Sequence, residues 1–202
     1  MHKIFQKELL YLFFGIFFIS IILQLLSTSL PFAYTYDTFI SYKGLWQWIT
    51  SSLVHWNWMH WFLNISNLFI LIFLFEDAWS SKKFIFLFSI FSFFIILSLY
   101  IYSSDIKYYV GMSGVLYGMA IYGALKTFFK QQIISTIVLI YIGMKLNIDK
   151  TVNHYMGVDI LLGNMKVIED VHWYGAISGL IYIILESLYI KLRKYIISHK
   201  CD

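Results

Sequence analysis

The chain has 202 residues, 60% of them hydrophobic, 21% aromatic and 13% charged, with one proline and a formal net charge of +4. A soluble domain carries about 25% charged residues, so this composition excludes a water-solvated globule and points to an integral membrane protein. The positive charge does not mark a nucleic-acid binder, because the basic residues fall in short clusters between apolar runs, as membrane topology requires.

A membrane-spanning helix needs about 20 mostly apolar residues. The first is expected over 8–30, around the uncharged run Leu9 to Leu26 that follows Lys3 and Lys7. Pro31-Phe32-Ala33 imitates a cleavage site, but the run exceeds the roughly 15 residues of a signal-peptide core, so a retained helix is expected. The second span, 55–76, carries His60, Asn64, Ser66 and Asn67; the third, 83–103, is uncharged after Lys83. The fourth covers 113–126. The fifth, 128–145, contains Lys130, whose long stem can reach the interface, and the sixth covers 171–191. No linker or low-complexity segment divides the chain. The expectation is an all-α integral membrane protein, with residues 1–202 forming a single six-transmembrane-helix bundle.

Charge orients this bundle. Lys3, Lys7, Lys82, Lys83, Lys126, Lys130, Lys191, Arg193, Lys194 and Lys200 fall on one side, and Lys43, Lys107, Lys145, Lys150 and Lys166 on the other. The positive-inside rule then makes both termini cytoplasmic, and the connections 31–54, 103–112 and 145–170 face outward. Cys201 is the sole cysteine, so no internal disulfide forms.

Polar groups inside a membrane are costly and face the bundle interior. His60 and Asn64, four residues apart, share a helical face. His55 lies about 140° from His60 on an ideal helix, which places it in the entering turn. Interhelical hydrogen bonding would account for any one of these groups alone. Gly111 and Gly114 bracket Ser113 where an apolar helix begins. Such a helix start presents a serine Oγ beside unbonded backbone N–H groups, as acyl transfer needs; a simple cap over small-residue packing fits the same pattern. His172, Gly175 and Gly179 lie on one stripe of the sixth helix, with the histidine at the outer end, and Tyr117 is one turn past Ser113. Ser113, His172 and the His55/His60 region all fall at the outward end, on three different helices.

These motifs resemble the rhomboid family of intramembrane serine proteases. His55-Trp56-Asn57-Trp58-Met59-His60-Trp61-Phe62-Leu63-Asn64 is similar to the family's H-x4-H-x3-N, Gly111-Met112-Ser113-Gly114 to its G-x-S-G, and His172 with Gly175 and Gly179 to its H-x2-G-x3-G. The resemblance covers nearly the whole chain, in the family's order. It implies Ser113 as nucleophile and His172 as general base. It further implies an oxyanion hole of His60, Asn64 and the Ser113 N–H, with Met112 as a second backbone donor. His55, Gly111, Gly114, Tyr117, Gly175 and Gly179 would be supporting residues. The implied partners are transmembrane or membrane-anchored protein substrates within the lipid bilayer, and the implied setting is a bacterial inner membrane with the site toward the periplasm. The strings 109–117 and 171–179 resemble the rhombosortase branch, which removes a Gly-Gly-containing C-terminal sorting tail from exported proteins. The chain departs from many members at Gln47, where an arginine follows the tryptophan, which puts the bonding of that loop in question.

Other readings remain open at this point. A catalytically inactive rhomboid-like protein would bind transmembrane clients, and a transporter would show inverted repeats, of which none is visible. No cofactor or metal is expected. His154, Asp159, Glu169 and Asp170 share the 145–171 loop, but no H-E-x-x-H or Cys–His spacing accompanies them. Glu186 is expected to reach the inner interface. Trp46, Trp48, Trp56, Trp58 and Trp61 are expected to form an interfacial belt.

Overall fold

The computed structural model describes residues 2–27, 31–40, 44–152 and 168–199. The chain is an all-α membrane bundle. Its elements are α1 (His2–Leu26), β1 (Tyr34–Thr35), α2 (Tyr36–Ile40), α3 (Gln47–Thr50), α4 (Trp58–Leu74), a 3₁₀ turn (Glu76–Ala78), α5 (Ser81–Tyr102), β2 (Tyr108–Tyr109), α6 (Ser113–Lys126), α7 (Gln132–Val152) and α8 (Asp170–Ser198). Lys7–Leu26, Ser81–Tyr102 and Asp170–Ser198 are each long and apolar enough to cross a membrane, and Trp58–Leu74 and Gln132–Ile148 are shorter apolar helices.

Local chemistry sets the helix ends. α4 starts at Trp58 rather than 55, because the Asn57 side chain accepts from the His60 N–H at 2.8 Å and caps the first turn. Ser80 does the same for α5 through the Lys83 N–H. The fifth spanning helix begins at Gln132 rather than 128: Thr127 closes α6 by donating its hydroxyl to Gly123 O, and the Lys130 N–H turns back onto Thr127 O. Phe129 is left exposed in that turn. The last helix runs to Ser198, seven residues past the expected 191, since nothing between Lys191 and Ser198 breaks a helix and no glycine or proline intervenes. The first helix occupies 2–26 instead of 8–30; residues 28–30 lie outside the described residues, as do Lys43, Lys166, His154, Asp159, Lys200 and Cys201.

α6 is the central helix, in contact with α4, α5, α7 and α8. Gly114, Val115, Leu116, Gly118, Met119, Tyr122, Gly123 and Ala124 are all buried, so it is enclosed on nearly every side. α1, α7 and α8 present exposed Phe14, Phe18, Ile133, Ile137, Leu185 and Leu188, the apolar surface that a lipid environment covers.

Two polar ends bound the apolar layer. At one, Glu186 of α8 pairs with Lys83 of α5 and Lys126 of α6, each at 2.7 Å, and accepts from the Tyr122 hydroxyl at 3.1 Å. Lys83 also contacts the Tyr182 hydroxyl, and Lys130 pairs with Asp77. Glu186 therefore ties three helices together at the interface. At the other end, β1 and β2 pair antiparallel, joining the 31–54 and 103–112 connections. Gln47 occupies that loop with its amide buried: Oε1 accepts from Thr38 Oγ1 at 2.8 Å and from the Thr35 N–H at 3.3 Å, and Nε2 donates to Pro31 O at 3.2 Å. The amide thus supplies the loop's bonding without an arginine. Trp46, Trp56 and Trp58 are about half exposed. Trp61 instead packs on Phe17 of α1, and Trp48 on Phe93 of α5, so the tryptophans divide between belt and packing.

Candidate active site

The two glycine-bearing helices meet backbone to backbone. A Cβ built on Gly175 would stand 1.8 Å from Gly114 O, and one on Gly179 would stand 2.2 Å from Gly118 O. In the other direction, a Cβ on Gly114 or Gly118 would stand 2.7 Å from the carbonyl oxygen of Val171 or Gly175. No side chain fits between α6 and α8 along two turns, so small residues are required there. This contact brings the first residue of α6 beside the third residue of α8. Ser113 Oγ lies 3.0 Å from His172 Nε2. Both helix starts are at the strand-bearing end, opposite Glu186.

Each partner is held. Tyr117, one turn along α6, stacks on the His172 ring with centroids 4.6 Å apart and planes 18° from parallel. The start of α8 is fixed to the end of α5 by Ser103, whose Oγ donates to Asp170 Oδ2 and shares a hydrogen bond with the Tyr174 hydroxyl, both at 2.8 Å. On the serine side, Gly111 has φ +115°, a backbone conformation that glycine adopts without strain. Its N–H donates to Ser51 O at 2.8 Å, and its carbonyl accepts from the Tyr109 hydroxyl at 2.6 Å. Burial pushes the Tyr109 phenol above its ordinary range, so it remains a donor.

α4 forms the wall facing the serine loop. A Cβ on Gly111 would fall 2.6 Å from His60 Cε1, so the imidazole fits against the loop because residue 111 has no side chain. His60 and Asn64 are buried. Asn64 Nδ2 donates one hydrogen to His60 O at 2.9 Å and retains a second. His55 sits in the turn ahead of α4, its ring edge-on to His60 with centroids 5.1 Å apart and planes at 87°. His55 thus meets the site by packing its ring on His60. Met112 is fully buried and precedes the helix. The first main-chain bond of α6 runs from the Leu116 N–H to Met112 O, which leaves the N–H groups of Ser113 and Gly114 ahead of the helical ladder.

The arrangement therefore contains a hydroxyl within reach of an imidazole at a positively polarised helix start. Such a helix end can hold an oxyanion. No group of three or more histidine, cysteine or acidic side chains is placed to hold a metal among the described residues.

Of the residues that the family resemblance assigns to the site, His55, His60, Asn64, Gly111, Met112, Ser113, Gly114, Tyr117, His172 and Gly175 lie around the meeting of the α4, α6 and α8 starts, whereas Gly179 lies two turns down α8 against Gly118. The structure adds Ser51 and Ser103, which carry no motif, and gives a role to Tyr109, the first residue of the 109–117 string; their contributions are main-chain or second-neighbour bonds, invisible to spacing. Gln24 and Ser20 of α1 also reach the site's wall. They left a signal, two polar residues four apart in the uncharged run Leu9 to Leu26.

The family model of the Rhomboid domain matches residues 42–189. The chain belongs to the rhomboid family of intramembrane proteases and is an integral membrane protein. No curated protein matches it.

Proposed function

We propose that this rhomboid is an active serine endopeptidase with Ser113 as nucleophile and His172 as general base, cleaving membrane-anchored proteins near the outer face of a bilayer. The observation that carries the reading is the 3.0 Å approach of Ser113 Oγ to His172 Nε2, held by a helix contact too close for any side chain. His172 takes the Ser113 proton as Oγ attacks the substrate carbonyl. The oxyanion is stabilised by the Ser113 N–H, His60 and Asn64, with Met112 as a second backbone donor. The His172 proton passes to the leaving amine, and water then hydrolyses the acyl-enzyme through the same base.

The distribution of basic residues supports cytoplasmic termini and an outward-facing site, and the resemblance to the rhombosortase branch favours a bacterial inner membrane with that site toward the periplasm. The strings flanking Ser113 and His172 favour the rhombosortase branch, with exported proteins that carry a Gly-Gly sorting tail as substrates. The inactive client-binding alternative is disfavoured because both members of the pair are present and in contact.

The test is fluorophosphonate labelling and substrate cleavage by the purified protein in detergent. Wild type should label at Ser113 and cleave, while Ser113→Ala and His172→Ala should each lose cleavage by at least about 10³-fold and remain folded. Undiminished cleavage by either variant would overturn the assignment.

A further inference from the structure

α1 lies outside the matched segment 42–189, yet it makes three hydrogen bonds with the first turn of α4 and the turn ahead of it. Trp61 Nε1 donates to Ser20 Oγ at 2.9 Å. One turn on, Gln24 bonds both main-chain groups of His55: its Nε2 donates to His55 O at 2.9 Å, and the His55 N–H donates to its Oε1 at 2.7 Å. Ser20 and Gln24 are four apart and so share a face. The Gln24 amide acts as the missing backbone partner of an irregular turn, the kind of satisfaction that non-helical chain at membrane depth requires.

The clamp leads to the site by a short route. His55 is 4% exposed, with its ring edge against His60. His60 in turn fills the space that Gly111 leaves open, two residues from Ser113. Because the His55 ring meets His60 edge-on, a shift of the His55 main chain carries the ring pair with it, and Gln24 bonds that main chain at both its N–H and its carbonyl.

We propose that Gln24 is a positioning residue for the active site: by bonding both main-chain groups of His55 it sets the His55–His60 ring pair behind Ser113, making α1 part of the catalytic support. This rests on the Ser113–His172 reading for its catalytic consequence, whereas its structural half can be read without activity.

The test uses the full chain in detergent with Gln24→Met, a near-isostere lacking both bonds, and Gln24→Asn, which keeps the amide but is one methylene short. Leu9→Ala, a fully buried α1 position remote from His55, serves as the destabilisation control. Gln24→Met should lower kcat and the fluorophosphonate labelling rate by about tenfold or more, with KM changed less than about twofold. Gln24→Asn should fall between it and wild type. Leu9→Ala should lower the melting temperature at least as much while labelling at the wild-type rate. Independently of activity, hydrogen exchange in Gln24→Met should rise over 53–61 and also over 109–116. Exchange confined to α1 and 53–57, or labelling by both Gln24 variants at the wild-type rate, would overturn the proposal. If Gln24→Met does not fold, Gln24→Asn decides by the same two readouts. Failure of wild type to label at Ser113 would count against the enzymatic reading alone, leaving the exchange result to judge the clamp.

Discussion

Replacing Gly175 with alanine adds one methyl group where α6 and α8 touch. The new Cβ would stand 1.8 Å from Gly114 O, against the 3.4 Å at which ordinary contact begins. The obstacle is main chain, which cannot rotate away, so the helices must part locally by roughly 1.5 Å. Ser113 and His172 flank this contact at 3.0 Å. A shift of even about 1 Å carries the pair beyond hydrogen-bond range, and misplacement on that scale costs on the order of 10²-fold in rate. Overpacking of this kind also costs about 1–3 kcal/mol of stability. Gly15 and Gly143 are the controls, since a Cβ at either meets nothing within 4 Å. Alanine there should be neutral or stabilising by up to about 1 kcal/mol. The assay is fluorophosphonate labelling of the three variants below their melting temperatures. Gly175→Ala labelling at the wild-type rate while Gly15→Ala and Gly143→Ala also do so would show that the backbone contact does not set the pair's distance.

Tyr117→Leu removes the ring stacked on His172 but keeps an apolar side chain. Such stacking is worth about 0.5–1.5 kcal/mol, so kcat should fall by up to about tenfold with little change in KM, measured by steady-state cleavage. Glu186→Gln breaks both lysine pairs at the opposite end. With the carboxylate half-buried, stability should fall by about 1–3 kcal/mol, read as a lower melting temperature in detergent. Labelling below that temperature should hold at the wild-type rate, because Glu186 is remote from Ser113.

The sequence shows Lys7–Leu26, Ser81–Tyr102 and Asp170–Ser198 because their signal is long and strong: about twenty mostly apolar residues have few alternatives. α6 matches its expected bounds, Ser113 to Lys126, since a glycine-framed start and a basic end both mark it. α7 departs from expectation because Phe128 and Phe129 extend the apolar run while the chain is already turning at Thr127 and Lys130. The strand pair at Tyr34 and Tyr109 was not legible, two residues being too few for a period. The same limit applies within the site. His60, Asn64, Ser113 and His172 occur in recognisable spacings, whereas Gln24, Gln47 and Ser51 act through main-chain partners that only the folded chain supplies. Gln47 illustrates this: it departs from the family's arginine pattern, yet folding gives its buried amide three partners.

Where the site lies in the membrane follows from how α6 is anchored. Its 14 residues span about 21 Å, well short of the roughly 30 Å hydrocarbon layer. The shortfall could fall at either end, and the ion cluster decides which. Lys126, the last residue of α6, pairs with Glu186 beside Lys83, and a charged cluster of that kind belongs at an interface, where its desolvation cost is least. With that end fixed, about 9 Å of missing helix falls above Ser113. At that end the chain continues as the β1–β2 pair and the 110–112 turn, and non-helical main chain at membrane depth is tolerated only where protein partners bond it. Ser51 O, the Tyr109 hydroxyl and the Gln47 amide provide those bonds. The short helix, its charged foot and its hydrogen-bonded roof thus fit the proposed function: together they would set the α6 start, with its N–H groups ahead of the helical ladder, below the membrane surface, as the proposed hydrolysis of bilayer-borne substrates requires.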